Sequence, residues 1–245
     1  MCATMGRYRR EVATEPGIFG IEIYIDGEKT VNRYDLILSG LGGQGVMTIS
    51  RILAAAASEE DIPVKLFEGT GITQRGGGVF CFIRFGESYS PKISAGKADT
   101  IICLELSEMA NVIHLLKPHG HIWTNSGTIH GYYSKLHPGL YPSQESIEEM
   151  IGEITSHLYI IPADRLAAEA GSPQAVNMLM LGAFSGGNVF PKSDSITRAI
   201  KETYTQFASS NLDAFQKGYE FSKNEGAGRQ SENDFIARET ENSDG

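Results

Sequence analysis

The sequence predicts an α/β fold: an open, mostly parallel, Rossmann-like sheet with helices on both faces and a helical C-terminal part. Three observations carry this. Strand-like and helix-like segments alternate from Tyr34 onward, the order that builds a parallel sheet with helical crossovers. A glycine-rich turn, Gly40-Leu41-Gly42-Gly43-Gln44-Gly45, joins the first of these strands to an Ala-rich helix, as in doubly wound sheets. Thr100-Ile101-Ile102-Cys103-Leu104-Glu105 is a nearly continuous apolar run, which a strand covered on both faces requires.

The elements follow in order. Residues 1–33 read as an appendage whose charges cancel, Arg7, Arg9, Arg10, Lys29 and Arg33 against Glu11, Glu15, Glu22, Asp26 and Glu28. Within it Ile21, Ile23 and Ile25 alternate with other residues and Asp26-Gly27 follows, the signal of a two-residue hairpin turn. The main domain, residues 34–224, opens with a strand at Tyr34 to Ser39 and a helix at Val46 to Ser58. Strands at Val64 to Phe67, Val79 to Phe85 and Thr100 to Glu105 come next. Ser107 opens a helix running to Leu116, which Pro118 and Gly120 stop. His121 to Thr124 is a strand, Ser143 to Thr155 a helix, and Leu158 to Ile161 a further strand. Asp164 to Ala170, Gln174 to Phe184, Ser193 to Phe207 and Asn211 to Ser222 form the helical C-terminal part. From Glu225 to Gly245 six acids, two arginines and little apolar periodicity predict a mobile acidic tail.

Composition narrows the class. The chain has 245 residues, 41% apolar and 21% charged, an ordinary globular balance. Its net charge of −9 disfavours nucleic acid or an anionic membrane as a partner. No apolar run reaches the roughly 18 residues of a membrane span, and no apolar stretch follows Arg7, Arg9 and Arg10, so the expectation is a cytoplasmic protein. Cys2, Cys81 and Cys103 are too scattered for a disulfide framework or a paired-cysteine metal site.

Two glycine clusters carry the chemistry. In Gly40 to Gly45 the first glycine turns the chain, the second lets a ligand approach the backbone, and the third brings the helix close to the sheet. The unsatisfied N–H groups at the helix start then suit an anion. Glu68, at the end of the second strand, falls where an acid would hold a ribose, so the turn alone implies an independent NAD(P)-binding oxidoreductase. A tight crossover needs such glycines too. The second cluster, Gly69 to Gly78, holds Thr73, Gln74, Arg75, Gly76, Gly77 and Gly78. Its glycines permit a nest of converging N–H groups, and Arg75 adds a donor fork for phosphate or carboxylate. No Lys-Ser or Lys-Thr follows Gly76, so this is not a triphosphate-binding loop. The alternative is a flexible lead into the next strand, with Arg75 pairing an acid on another chain.

Other residues read plainly. His114, His119 and His121 lack a third ligand type at metal spacing. Gly182-Ala183-Phe184-Ser185-Gly186 misses the hydrolase elbow by one position. Met178, Leu181 and Phe184 have core spacing, with Asn177 a polar contact at a subunit boundary. Cys103 is an inert buried thiol, and nothing marks Cys81 as a nucleophile.

SGLGGQGV (Ser39 to Val46), GITQRGGGV (Gly71 to Val79) and AVNMLMLGAFSG (Ala175 to Gly186) occur in the order found in one family. The chain resembles the gamma-type subunits of the 2-oxoacid:ferredoxin oxidoreductases, most of all the small (beta) subunits of the indolepyruvate type. The resemblance covers Tyr34 to Ser222. Where the family reads GMAQRGG, Ile72 and Thr73 depart and Gln74 to Gly77 match. The resemblance implies a subunit of an enzyme that oxidatively decarboxylates an aryl pyruvate to an acyl-CoA and passes electrons to ferredoxin. It implies a large catalytic partner carrying thiamine diphosphate and iron–sulfur clusters, coenzyme A as co-substrate, and no cofactor held by this chain alone. Gly40, Gly42, Gly43, Gln44, Gly45 and Thr73 to Gly78 then hold phosphates or shape the partner's active-site wall, with no catalytic residue singled out. A purely structural subunit, its glycines serving backbone geometry alone, is the remaining alternative.

Overall fold

Arg33–Leu41 forms strand β3, in which every residue after Arg33 is buried. Such a strand belongs at the centre of a sheet covered twice. The structure, a computed structural model, describes residues 22–25, 28–31, 33–70, 77–127, 144–187 and 190–241. Its sheet has six strands, β4 (Val64–Thr70), β5 (Gly78–Gly86), β3, β6 (Ala98–Cys103), β7 (Leu116–Asn125) and β8 (Leu158–Ile161), in that spatial order. From β3 to β8 neighbours are parallel, while β5 runs antiparallel between β3 and β4. Two further strands, β1 (Glu22–Ile25) and β2 (Glu28–Val31), pair antiparallel as a separate ribbon with Ile25 opposite Glu28, the two-residue connection that Asp26-Gly27 predicts.

Side-chain alternation splits the core into two layers. Leu36 and Leu38 of β3 pack with Ile49, Ile52 and Leu53 of α1 (Val46–Glu59). Ile37 faces the other way, with Met109 and Val112 of the short helix α2 (Met109–Val112) and Ile147 and Ile151 of α3 (Gln144–Gly152). The α1 layer also takes α4 (Ala163–Glu169), α5 (Val176–Gly187), α6 (Ser193–Thr203) and α7 (Ala208–Glu241).

Three expectations change. The helix expected from Ser107 to Leu116 is one α-turn flanked by 3-10 turns. Pro118 and Gly120 do not precede the next strand but lie inside β7, where the pairing skips from Ala98↔Leu116 to Thr100↔His121. A bulge is where a strand accommodates proline, which has no N–H to give the ladder. Residue 225 is not a helix boundary either: α7 continues to Glu241 through a stretch that includes Gly226 and Gly228 but no proline, the residue that would break it.

At the start of β3, buried Asp35 accepts two bonds from Arg84, at 2.9 and 3.1 Å. Arg84 also donates to the Ser90 and Lys92 carbonyls at 2.9 Å, tying the β5–β6 loop to the sheet. A buried charge needs such full pairing. On β7 and β8 the rings form a ladder: Trp123 stacks on Tyr159 at 4.1 Å and His121 on His157 at 4.3 Å.

The glycines of the C-terminal helices are contact points. A Cβ on Gly182 of α5 would lie 1.9 Å from the Phe215 carbonyl oxygen of α7. One on Gly218 would lie 2.0 Å from that of Leu179. The two backbones touch.

Two predictions follow from this packing and from His121. Gly182→Ala should cost at least about 1–3 kcal/mol in urea unfolding, because rigid backbone must move to admit the methyl. Gly152→Ala, with nothing within 4 Å, should cost nothing or stabilise slightly. His121 is pushed down from 6.5 to about 3, chiefly by burial and then by His157 and Lys117. The unfolded chain therefore takes up this proton first, and stability falls as pH drops from 6.5 toward 3, with a slope of up to about 1.4 kcal/mol per pH unit. The urea midpoint of the wild type should thus drop more steeply from pH 6.5 to pH 4 than that of His121→Phe; parallel profiles would refute this.

Candidate functional site

The turn after β3 is built as its glycines predict. Gly43 and Gly45 have φ of +98° and +87°, conformations that cost a side chain energy and glycine little. Gly45 caps α1, its carbonyl accepting from Thr48 and Ile49 N–H at 3.0 Å. Gln44 folds back: its Oε1 accepts from Leu41 N–H at 2.6 Å, and its Nε2 points to the Leu104 carbonyl at 3.4 Å. Gln44 therefore braces the turn from within and joins it to the end of β6.

The two glycine clusters meet. Leu41 pairs with Gly78 at the end of the β3–β5 ladder, and Gly42 N–H donates to the Gly77 carbonyl at 3.0 Å. Gly78 has no room for a side chain, since a Cβ would lie 2.3 Å from Glu108 Oε2. Thr73, Gln74, Arg75 and Gly76 lie outside the described residues.

The same sheet edge carries residues that sequence reasoning missed. Asn125, at the end of β7, donates to Asp164 at 2.8 Å. Its Oδ1 accepts from Gly127 and Ala163 N–H at 3.1 Å. It holds the starts of α4 and of the β7 exit loop together. Only its place at a strand end followed by Ser-Gly hinted at this.

Charge divides the edge. On the α2 side stand Glu105, fully buried, and Glu108, whose carboxyl burial raises above its ordinary range although Asn111 donates to it. On the α1 side lies a cleft of about 560 Å³ lined by Gly43, Gln44, Gly45 and Thr48, by the 171–175 loop and Asn177, and by Tyr204, Phe207, Ser210 and Asn211. None of its lining side chains is charged.

Asn177 sits here, on the wall of this cleft. It is 8% exposed, and a Cβ on Gly45 would lie 2.2 Å from its Nδ2. The third glycine of the motif thus admits a helix, but the helix is α5 from the C-terminal part as well as α1 against the sheet.

Glu68 does not serve the turn. It pairs with Cys81 of β5, which pairs in turn with Leu38, so it lies two strands from β3, roughly 10 Å in the sheet plane. The ribose-binding acid of a dinucleotide fold stands on the strand next to the turn; here β5 occupies that position. The NAD(P)-binding alternative loses its acid.

Among the described residues the cysteines are free, buried thiols. Burial pushes Cys81 up to about 11 and Cys103 to about 12, and they lie in different core layers, on opposite faces of the sheet. Among the described residues no group of three or more His, Cys, Asp or Glu is placed to hold a metal ion, and no helix is long and apolar enough to cross a membrane.

Comparison with known proteins gives a consistent picture. The family model of pyruvate ferredoxin/flavodoxin oxidoreductase matches residues 35–221. The chain is 30% identical to the indolepyruvate oxidoreductase subunit IorB of Pyrococcus horikoshii, over 79% of this chain and 98% of that one. It is 29% identical to the pyruvate synthase subunit PorC of Methanothermobacter marburgensis, over 76% and 96%. Among solved structures, the gamma subunit of a keto/oxoacid ferredoxin oxidoreductase from Geobacter sulfurreducens matches with a TM-score of 0.56 at 22% identity, over 77% of this chain and 98% of that one.

A double-mutant cycle tests the packing of the turn. Gly43→Ala, facing open space, should cost only the backbone penalty of about 1 kcal/mol. Gly45→Ala adds a collision with Asn177 and should cost more. Combining it with Asn177→Ala should return part of that difference in urea unfolding; strict additivity would mean the two do not press on each other.

Proposed function

This chain belongs to the pyruvate ferredoxin/flavodoxin oxidoreductase family, and on that premise we propose that it is the small subunit of an enzyme of the indolepyruvate type. It is a subunit of a 2-oxoacid:ferredoxin oxidoreductase. The observation that carries the finer reading is the match to IorB chains of four organisms, each 30% identical and covered over 85% or more of its length. Oxidative decarboxylation of an aryl pyruvate to an acyl-CoA, with electrons passed to ferredoxin, is the activity of the assembled enzyme.

The chain's own residues fit a supporting part. The two cysteines among the described residues, Cys81 and Cys103, are buried on opposite sheet faces and cannot together ligate an iron–sulfur cluster, which needs several thiolates around one centre. That supports a large catalytic partner carrying the clusters and thiamine diphosphate. Those groups supply decarboxylation and electron transfer when bound. What this chain brings is the paired glycine turn. Gly40, Gly42, Gly43, Gln44 and Gly45 with Gly77 and Gly78 stand at the carboxyl edge of the sheet, where open α/β folds receive ligands. We assign to them, together with Thr73, Gln74, Arg75 and Gly76, the phosphates of coenzyme A or thiamine diphosphate at the subunit boundary. Arg75 supplies the positive charge that the turn lacks.

The test is anaerobic affinity purification of the full chain from its native cell. A large brown subunit containing thiamine diphosphate and iron–sulfur clusters should co-purify in near-equal amount. The complex should reduce a viologen dye with indolepyruvate and coenzyme A. A chain recovered alone and colourless would overturn the reading. In the complex, Arg75→Ala should raise the coenzyme A concentration for half-maximal rate about tenfold, the value of one charge-assisted contact. An unchanged coenzyme A dependence in a normally assembled complex would leave a purely structural subunit.

A further inference from the structure

We propose that the face of β4 and β5 turned away from α1 is a docking surface, on which the large catalytic subunit seats an acidic segment with an apolar anchor. The proposal rests on the reading above in that it takes such a partner to exist, and it names where on this chain that partner holds.

The two faces of these strands are covered differently. Val64 and Leu66 of β4 and Cys81, Ile83 and Phe85 of β5 pack in the α1 layer. Side chains alternate, so Lys65, Phe67 and Gly69 of β4 and Phe80, Phe82 and Arg84 of β5 share the other face. There α2 packs on β3 and α3 on the 3-10 turn before α2, and the chain that reaches over β4 and β5 is the loop of residues 87–97. Ile93 is buried in the layer of Phe82, and Lys92 Nζ stands 5.5 Å from the centre of the Phe67 ring.

The loop leaves an aromatic surface open. The rings of Phe67, Phe80 and Phe82 cluster with centres 5.1 to 6.3 Å apart; Phe82 is buried, whereas Phe67 and Phe80 are half-buried. The Phe80 ring lies across β4 because Gly69 has no side chain, a Cβ there falling 2.4 Å from Phe80 Cζ. Tyr89, on the loop, is fully exposed. Its loop is held still, since buried Arg84, locked to Asp35, donates to the Ser90 and Lys92 carbonyls at 2.9 Å. An aromatic side chain displayed on immobilised backbone loses little entropy on docking, and tyrosine is enriched among the residues that carry interface energy.

Charge says what kind of partner fits. Lys65 and Lys92 are exposed, and no ion pair among the described residues engages either. Glu68, the acid of β4, turns the other way, to 3.9 Å from Arg51 of α1. Asp35, the acid of this face on β3, is buried and held by Arg84 and Arg33. Glu87 and Glu108 stand at its ends, one at the foot of the loop and one beside Gly78. In a chain of net charge −9 the middle of this face is positive, which selects an acidic partner and steers it in. The face also continues into the sheet edge assigned above to the subunit boundary. Phe80 pairs with Ser39 and Gly69, and Gly78 of the same strand pairs with Leu41. An exposed aromatic patch continuous with that edge marks an interface.

The experiment uses the affinity-tagged full chain produced together with the large subunit, and reads how much large subunit stays bound per tagged chain through a dilution series. Tyr89→Ala and the double variant Lys65→Glu/Lys92→Glu should each weaken retention at least about tenfold. Lys201→Glu, at an exposed position of α6 in the α1 layer, should not. Retention by the wild type should fall with added potassium chloride, and the charge-reversed variant should lose most of that dependence. The substituted positions are exposed, so each variant should melt with the wild type. As a second readout, the backbone amides of residues 87–97 should exchange hydrogen more slowly in the complex than in the free chain. Full retention by both variants, or loop exchange unchanged by the partner, overturns the proposal and leaves the partner in place. Variants that abolish a dimer of this chain and keep the large subunit make the occupant a second copy, and the assignment fails. A wild-type chain that retains no large subunit overturns the reading above and this proposal together.

Discussion

The burial of one helix on every side is the constraint on which the rest of this structure depends. From Asn177 to Gly186 each residue of α5 is buried, so the helix has no solvent face to relax into. At its start Asn177 presses on Gly45 and sets how closely the glycine turn approaches the C-terminal part. In its middle Gly182 and Gly186 admit the α7 backbone at Phe215 and Tyr219. At its end Phe184 meets the Trp123 ring edge-on at 6.4 Å, and a Cβ on Gly187 would lie 2.1 Å from that indole. A helix apolar all round belongs in a core, and here it carries position from the sheet edge to the last helix. Interiors packed this densely transmit displacement rather than absorb it. The geometry of the turn and the crossing of α5 with α7 are in this sense one feature.

Strand β3 supplies the other axis. Its first residues are tied by charge, with Asp35 held by Arg84 and Arg33 and its N–H donating to Asp99. Its last residues end in backbone geometry, with glycines and the Gln44 amide in place of charge. The division is physical. A buried ion pair demands partners that surround it fully, which immobilises one end of the strand. At the other end the carboxylates of Glu105 and Glu108 are confined to the α2 side, leaving the α1 side to uncharged donors and helix termini. In a chain of net charge −9, the acids are thus kept to one side of this sheet edge.

Local pattern made most of the fold legible. The alternation of strands and helices, the two-residue hairpin and the double-sided burial of Thr100 to Leu104 each follow from periodicity that neighbouring residues share. The glycine turn was legible as a backbone device for the same reason. What escaped depends on residues far apart in the chain. Pro118 reads as a stop because proline denies a donor to a regular ladder; that β7 accommodates it through a bulge is settled by pairing with β6. Gly182, Ser185 and Gly186 invite comparison with a nucleophile motif, yet their spacing records where α7 crosses, which α5 alone cannot reveal. Glu68 stands at the expected distance along the chain, but β5, which comes later in sequence, separates it from the turn. Asn177 reads as a polar residue on an apolar helix face, and only the approach of Gly45, 132 positions earlier, turns that oddity into the wall of a cleft. Sequence spacing reports which chemistry each segment can offer, and the order of strands in the sheet decides which of those offers meet.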